Sequence, residues 1–273
     1  MILITGCKGQ LGSELSPMFP EALLTDNDEL DITDEMAVQK FVEKNSIDSI
    51  INCAAYTAVD KAEDEPEQCA RINVNGPYNL AKTGAKIVHI STDYVFNGSA
   101  CRPYTEDVPI SPLGIYAKTK AEGEKMVFKH AKTATVLRTS WLYSPHGSNF
   151  VKTILRLGAE RKELNVVFDQ IGTPTYAYDL AIAVFTAFKN MQTGKQCLYH
   201  YSNEGVASWY DFARAIMELK NLPCTIHPIT TDQYPTKAIR PYYSVLDKTK
   251  IKNELGITIP HWRESLGICL GRF

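Results

Sequence analysis

Short runs rich in Ile, Leu and Val punctuate the first half of the chain: Met1–Thr5, Ala22–Thr25, Ser49–Asn52, Lys86–Ser91 and Thr135–Arg138. Each is too brief for a helix and mostly apolar on consecutive positions, the mark of a strand buried on both faces of a parallel sheet. Between them, longer amphipathic stretches at Gln10–Met18, Glu35–Asn45, Pro66–Thr83 and Gly114–His130 predict helices. The third is opened by Asp64-Glu65-Pro66, acids and a proline suited to a first helical turn. Strands alternating with helices imply right-handed βαβ crossovers, and hence an α/β, Rossmann-type doubly wound parallel sheet.

After Trp141 this alternation fades into turn-rich segments, one more strand-like run at Cys197–Tyr201 and one clear helix, Trp209–Lys220. Ser208 and Asp211 have capping-box spacing, and Trp209, Phe212, Ala213, Ile216 and Met217 form a stripe that reads as core packing. The expected division is a dinucleotide-binding lobe over 1–143, joined again by about 171–200. A smaller C-terminal substrate-binding lobe takes 144–170 and 201–273.

Charge and cysteine content narrow the classes. The 273 residues carry 29 Lys and Arg against 31 Asp and Glu, a net charge of −2, so neither nucleic acid nor an anionic membrane is an expected partner. The seven cysteines are odd in number and scattered without a C-x-x-C pair. They read as reduced small hydrophobes of a cytoplasmic protein, not as a metal knuckle. No apolar run is long enough for a membrane span, and the opening Met1–Thr5 run is too short for a signal peptide.

The first chemistry lies between the first strand and the first helix, where Thr5–Gly12 reads TG-x-x-G-x-x-G. Gly6, Gly9 and Gly12 suit a tight turn, close backbone approach to a pyrophosphate and close helix–strand packing, with Gln10 and Leu11 opening the helix toward the phosphates. Asp26, twenty residues beyond Gly6, stands where an acid takes the adenosine ribose 2′-hydroxyl. That favours NADH, with NADPH tolerated because Lys8 can partly neutralise a 2′-phosphate. Asp31 and Ile32 are expected beside the adenine, and Ala54, Ala55, Tyr56 and Thr57 beside the nicotinamide ribose.

A second cluster follows. Ser91-Thr92-Asp93-Tyr94 ends the fourth strand, and Tyr116 and Lys120 sit four residues apart on the next helix. A tyrosine works as a general acid near neutrality when its pKa of about 10 is lowered, and a nearby ammonium does so. Thr92 is placed to hydrogen-bond the same substrate oxygen. Pro77, four residues after Asn73, removes the helical donor for the Asn73 carbonyl, which is expected to hold a water on a proton path from Lys120.

The glycine loop, Asn73, Ser91-Thr92 and the Tyr116/Lys120 pair together resemble the extended short-chain dehydrogenase/reductases. Longer strings narrow this resemblance: NCAAYTAVDKAE at Asn52–Glu63, STDYVF at Ser91–Phe96, RTSWLY at Arg138–Tyr143, Asn149-Phe150, DQIGTPT at Asp169–Thr175, and Arg240-Pro241. From Met1 to about Leu266 the chain resembles the dTDP-4-dehydrorhamnose reductase family. The resemblance implies a catalytic set of Thr92, Tyr116, Lys120 and Asn73, and a sugar held by Val59, Thr92, Asp93 and Trp141. It implies hydride transfer from C4 of NADH or NADPH to the C4 ketone of a nucleotide-linked sugar, with Tyr116 as proton donor and Lys120 also on the nicotinamide ribose.

Related 4,6-dehydratases carry Thr-Asp-Glu at the strand end, whereas this chain has Tyr94 in place of the glutamate, which favours ketone reduction. Glu14 matches the first glutamate by which some members bind Mg2+ between subunits, but no others can be placed, so no metal is expected and a homodimer is left open. Arg240 is read either as a diphosphate contact or as an interlobe salt bridge. Two other functions stay in view: reduction of another nucleotide-activated 4-keto-6-deoxy sugar, and a non-catalytic dinucleotide-binding regulatory subunit.

Overall fold

The computed structural model covers residues 1–273. Its first half runs β1 (Ile2–Thr5), α1 (Gln10–Leu15), β2 (Leu23–Thr25), α2 (Glu35–Lys44), β3 (Ser49–Asn52), α3 (Val59–Ala62), α4 (Pro66–Ala70), α5 (Gly76–Lys82), β4 (Lys86–Thr92), α6 (Ile115–His130) and β5 (Ala134–Thr139). The second half follows with β6 (Leu142–Tyr143), α7 (Phe150–Glu160), β7 (Glu163–Val167), β8 (Ile171–Gly172), β9 (Thr175–Tyr176), α8 (Ala177–Lys189) and β10 (Gln196–His200). It closes with β11 (Ala207–Ser208), α9 (Trp209–Lys220), β12 (Thr225–Ile229), α10 (Thr249–Leu255) and α11 (Trp262–Leu270).

Six strands form one parallel sheet in the order β10-β5-β4-β3-β1-β2. Consecutive apolar residues explain its two covered faces, because neighbouring side chains on a strand point opposite ways. Leu3, Ile50, Ile87 and Val136 pack with Val38 and Val42 of α2, Leu80 of α5 and Val127 of α6. Their neighbours Ile4, Ile51, Val88 and Leu137 pack with Leu11 and Leu15 of α1 and with Leu180 and Val184 of α8. The chain crosses from β2 back over β1 to reach β3, so the topological switch lies between β1 and β3, where such sheets bind ligands at their carboxyl ends.

The smaller lobe has its own core, built from Tyr143, Ile154, Tyr176, Phe212, Ile216, Trp262 and Leu266 among others. The lobe boundaries differ from the sequence expectation. Residues 171–172 and 175–176 belong to small two-stranded pairings, β8 with β11 and β9 with β6, so the return to the large lobe begins with α8. Ile251 and Ile259 pack with the sheet-face cluster under α1 and α8, so α10 and the segment after it lie against the large lobe. No helix is long and apolar enough to cross a membrane.

The helix expected over Pro66–Thr83 is broken. Pro77 has no N–H for the carbonyl four residues earlier, the chain widens into a π turn at Arg71–Asn75, and α5 starts afresh with Pro77 in its first turn. Likewise, the first helix gives way after Leu15 to a tight turn over Ser16–Met18 that contains Pro17.

Candidate active site

At the switch point, Gly6 adopts φ +67°, and a Cβ there would lie 2.6 Å from the Ala54 nitrogen. A Cβ on Gly12 would lie 2.2 Å from the Gly6 carbonyl oxygen, so both positions demand glycine for closeness alone. The resulting cavity, about 360 Å³, is lined by Gly6, Gly9, Asp26, Asp31, Ile32, Ala54 and Ala55 with several neighbours. Seven of the residues expected around a dinucleotide therefore meet in one cleft.

The other expected cofactor residues have different surroundings. Leu11 is buried in the sheet-face core, leaving only its backbone toward the cleft. Gln10 spends its side chain on the lobe junction: Oε1 accepts from Asn149 Nδ2 at 2.9 Å and Ser144 Oγ at 3.2 Å, and Nε2 donates to the Leu142 carbonyl at 3.4 Å. Tyr56 donates its hydroxyl to Glu65 at 2.8 Å, which together with burial pushes it up to about 12. Thr57 is exposed. Lys8 pairs with Glu29 at 3.0 Å and Asp28 at 3.4 Å, while its backbone N–H donates to Asp26 at 3.1 Å. The neutralising ammonium expected for a 2′-phosphate is thus held by two carboxylates.

Beside this cleft, the end of β4 meets α6. Thr92 Oγ1 caps the turn after the strand, accepting from the Tyr94 N–H at 3.2 Å and contacting Asp93 Oδ1 at 3.1 Å. Tyr116 on α6 lies near Thr92, and the Tyr94 and Tyr116 rings meet edge to face with centroids 6.0 Å apart. Lys120 donates Nζ to the Ile90 carbonyl at 2.6 Å. Burial draws the Lys120 ammonium down to about 8, with Glu124 opposing that fall.

Burial, reinforced by the Asp93 charge, pushes Tyr116 well above the ordinary tyrosine range, and Thr92 draws it down. Lys120 uses one of its three N–H donors on the Ile90 carbonyl. Asp93 is pushed up to about 7 by burial. Its Oδ2 is fully enclosed without a hydrogen-bond partner.

Asn73 stands in the π turn and braces the site through its side chain. Oδ1 accepts from the Tyr56 N–H at 2.9 Å, and Nδ2 donates to the Tyr56 carbonyl at 3.0 Å and toward Thr119 Oγ1 at 3.3 Å. Its carbonyl, expected to hold a water, is pressed on α6: a Cβ at Gly123 would lie 2.2 Å from that oxygen.

Two expected sugar contacts are engaged within the protein. Trp141, at φ +46°, stacks on Trp209 with centroids 3.5 Å apart and 7° between planes, so one face of the expected apolar wall is covered by a residue read as core. Arg240 forks onto Asp60, with Nη1 to Oδ1 at 3.0 Å and Nη2 to Oδ2 at 2.6 Å, which is the interlobe salt bridge and not a free diphosphate contact. Val59, the first residue of α3, is partly buried next to this pair. Glu14, the expected magnesium position, is buried against Arg272 at 2.7 Å and His146 at 3.4 Å, and no three His, Cys, Asp or Glu side chains converge on a metal-sized site.

Sequence reasoning missed a buried polar cluster behind Lys120. Glu124 takes a fork from Arg138 at 2.9 and 2.7 Å and the Ser91 hydroxyl as well. Its legible signal was the spacing of Glu124, one turn after Lys120 on the same helical face.

A glycine-loop cleft at the switch point, adjoining a Thr–Tyr–Lys set, defines a dinucleotide-dependent oxidoreductase of the extended short-chain type. The chain belongs to the RmlD substrate binding domain family, whose model matches residues 1–273. It is 44% identical to the spore coat polysaccharide biosynthesis protein SpsK of Bacillus subtilis, over 97% of this chain and 95% of that protein. A dTDP-4-dehydrorhamnose reductase from Clostridium acetobutylicum superposes with TM-score 0.95 and 42% identity, covering 99% of this chain and 98% of the other. The Bacillus anthracis dTDP-4-dehydrorhamnose reductase, solved in complex with NADP, gives TM-score 0.94 and 38% identity over 100% and 99% of the two chains.

Proposed function

We propose that the chain is an NAD(P)H-dependent reductase that converts the C4 ketone of dTDP-4-dehydro-6-deoxy-L-mannose to the alcohol of dTDP-L-rhamnose. The observation that carries this reading is the meeting of Thr92, Tyr116 and Lys120 beside the glycine-loop cleft, with Asp93 buried next to them. NADP held by the Bacillus anthracis relative supports the choice of cofactor. The cleft fits it: the backbone of Gly6 and Gly9 faces the cavity, Asp26 stands at the ribose end, and Ala54 and Ala55 leave room beside the nicotinamide ribose.

When bound, the dihydronicotinamide supplies the hydride. The chain's own groups then handle charge and protons. The Tyr116 hydroxyl donates to the oxygen that becomes an alkoxide, and the Thr92 hydroxyl donates to the same oxygen. Lys120, ammonium at neutral pH, keeps positive potential beneath the site. Asp93, Val59 and the open face of Trp141 hold the sugar. We place the reaction in the cytoplasm, where seven free cysteines stay reduced.

The test is loss of 340 nm absorbance from NADH and NADPH with the dTDP-4-keto sugar made in situ, beside a UDP-linked analogue. Oxidation with the dTDP sugar establishes the reaction. Preference for the UDP sugar moves the reading to another nucleotide, and dinucleotide binding without oxidation of any sugar moves it to a regulatory subunit.

A further inference from the structure

Lys120 and Glu124 stand four residues apart on one face of α6. That spacing brings the two Cβ atoms to about 5–6 Å and ordinarily lets an ammonium reach a carboxylate. Here the pair is not made: Lys120 donates to the Ile90 carbonyl at 2.6 Å and joins no ion pair. The Glu124 carboxylate is taken instead by two strands of the sheet. Arg138 of β5 donates Nε to Oε1 at 2.9 Å and Nη2 to Oε2 at 2.7 Å, and Ser91 of β4 donates its hydroxyl to Oε1.

Arg138 is seated firmly enough to hold that carboxylate. It stands in register with Ser91 across the β4–β5 ladder, so Glu124 grips both strands at one level. On the far side of the guanidinium, His200 Nδ1 lies 3.0 Å from the Tyr104 carbonyl oxygen, which only accepts. The imidazole proton therefore sits on Nδ1, and Nε2 is left to accept from Arg138 Nη1 at 3.4 Å. The Phe96 ring centroid is 5.3 Å from the guanidinium carbon.

Among the groups that face Lys120, Glu124 is the one anion. Cys53 beyond β3 and Cys69 of α4 stay thiols because burial raises both, Tyr116 on α6 stays a phenol for the same reason, and His89 of β4 stays neutral because burial lowers it. With Glu124 and Arg138 cancelling each other, the Lys120 charge is left uncompensated beneath the site, with two of its three N–H donors uncommitted to the protein. A Lys120–Glu124 pair would cancel the positive potential that a developing alkoxide needs.

We propose that Arg138 is a positioning residue: it fixes Glu124 on the two strands and so keeps this carboxylate off Lys120, leaving the ammonium for the reacting end of the site. The inference rests on the proposed ketone reduction, in which Lys120 supplies positive potential. The same carboxylate fixes Ser91, the neighbour of Thr92 at the strand end.

Two measurements on the full chain test the inference, using Arg138→Met, which releases Glu124, and Arg138→Met with Glu124→Leu, which removes the carboxylate as well. The first is urea unfolding without cofactor or substrate. Burial draws the folded-state Lys120 down to about 8 while the unfolded chain keeps its proton up to an ordinary 10.5, so this group makes wild-type stability rise with pH between those values. An ammonium captured by a carboxylate keeps its proton, so Arg138→Met should lose that rise, and its urea midpoint should drop progressively further below that of wild type across the window. The double variant should regain the rise. A gap between wild type and Arg138→Met that stays constant with pH shows Arg138 to be structural only and overturns the inference. An Arg138→Met chain that fails to fold overturns it too, because a captured Lys120 would have compensated the Glu124 charge.

The second measurement is turnover of the dTDP-4-keto sugar with NADPH. Arg138→Met should lose roughly a hundredfold in kcat, and the double variant should recover to within about tenfold of wild type. Wild-type kcat in Arg138→Met, or a folded double variant as slow as the single one, overturns the inference. If wild type oxidises no dinucleotide with any 4-keto sugar, the proposed reaction fails, and the unfolding comparison alone decides whether Arg138 keeps Glu124 off Lys120.

Discussion

Glu124 and Arg138 meet as a fork between α6 and β5: Oε1 accepts from Nε at 2.9 Å, Oε2 accepts from Nη2 at 2.7 Å, and each side chain is 4% exposed. His200 on β10 and the Phe96 ring complete the surroundings of the guanidinium. Such a pair contributes little over a well-packed apolar one, but removing one partner leaves a buried charge and costs about 3–5 kcal/mol. Glu124→Ala should lose that much in urea unfolding, and Glu124→Leu with Arg138→Met should lose far less than the sum of the single variants. Equal and additive losses would contradict a paired charge.

The Tyr116 hydroxyl is buried near Thr92, and phenylalanine keeps the ring, so removing the hydroxyl removes the proton and little else. Tyr116→Phe should keep dinucleotide affinity within about twofold and lose roughly 10²–10⁴ in kcat. Fluorescence titration with NADPH and steady-state kinetics measure the two quantities separately. Turnover within a few-fold of wild type would take Tyr116 out of the proton step.

What the sequence reveals and conceals follows from the range of each interaction. Strand pairs such as Leu3 and Ile4, or Ile50 and Ile51, announce a doubly covered sheet because adjacent side chains face opposite layers. Tyr116 and Lys120 are legible because helical spacing puts them on one face. Pro77 was legible as a lost donor, but the π turn it produces needs the packing of α6 against Asn73. The Arg240–Asp60 fork joins residues 180 positions apart, and the Trp141–Trp209 stack joins two lobes, so neither has a local signature. The bond from Lys120 to the Ile90 carbonyl is hidden for the same reason, because side-chain spacing cannot reveal a backbone partner.

Asp26 tests cofactor choice without disturbing the loop. Its Oδ2 accepts the Lys8 backbone N–H at 3.1 Å, a bond that Asp26→Asn can keep while dropping the charge. A charged hydrogen bond to a ribose hydroxyl is worth about 1.5 kcal/mol or more, and the same charge repels a 2′-phosphate. The ratio of NADH to NADPH dissociation constants should therefore shift about tenfold toward NADPH, read by fluorescence titration. An unchanged ratio would place the ribose away from Asp26.

Lys120 sets a stability that depends on pH, and its sign is the reverse of a paired lysine. Burial lowers the folded-state value to about 8 from an ordinary 10.5, so the native chain disfavours the proton that the unfolded chain keeps. Below about pH 8 both states hold the proton and the native state carries the full penalty, about 3 kcal/mol by the usual conversion of a pKa difference. Between about 8 and 10.5 the unfolded state binds more protons, so stability rises with pH and the penalty disappears. Lys120→Met should accordingly raise the urea midpoint at pH 7, with an advantage over wild type that shrinks toward pH 10, while abolishing turnover. Loss of the Ile90 carbonyl's donor offsets about 1 kcal/mol of that gain. A variant less stable than wild type at pH 7, or a gap independent of pH, would mean that the ammonium is stabilised in place. The site would then hold its charge without the stability cost that a preorganised proton-handling centre carries.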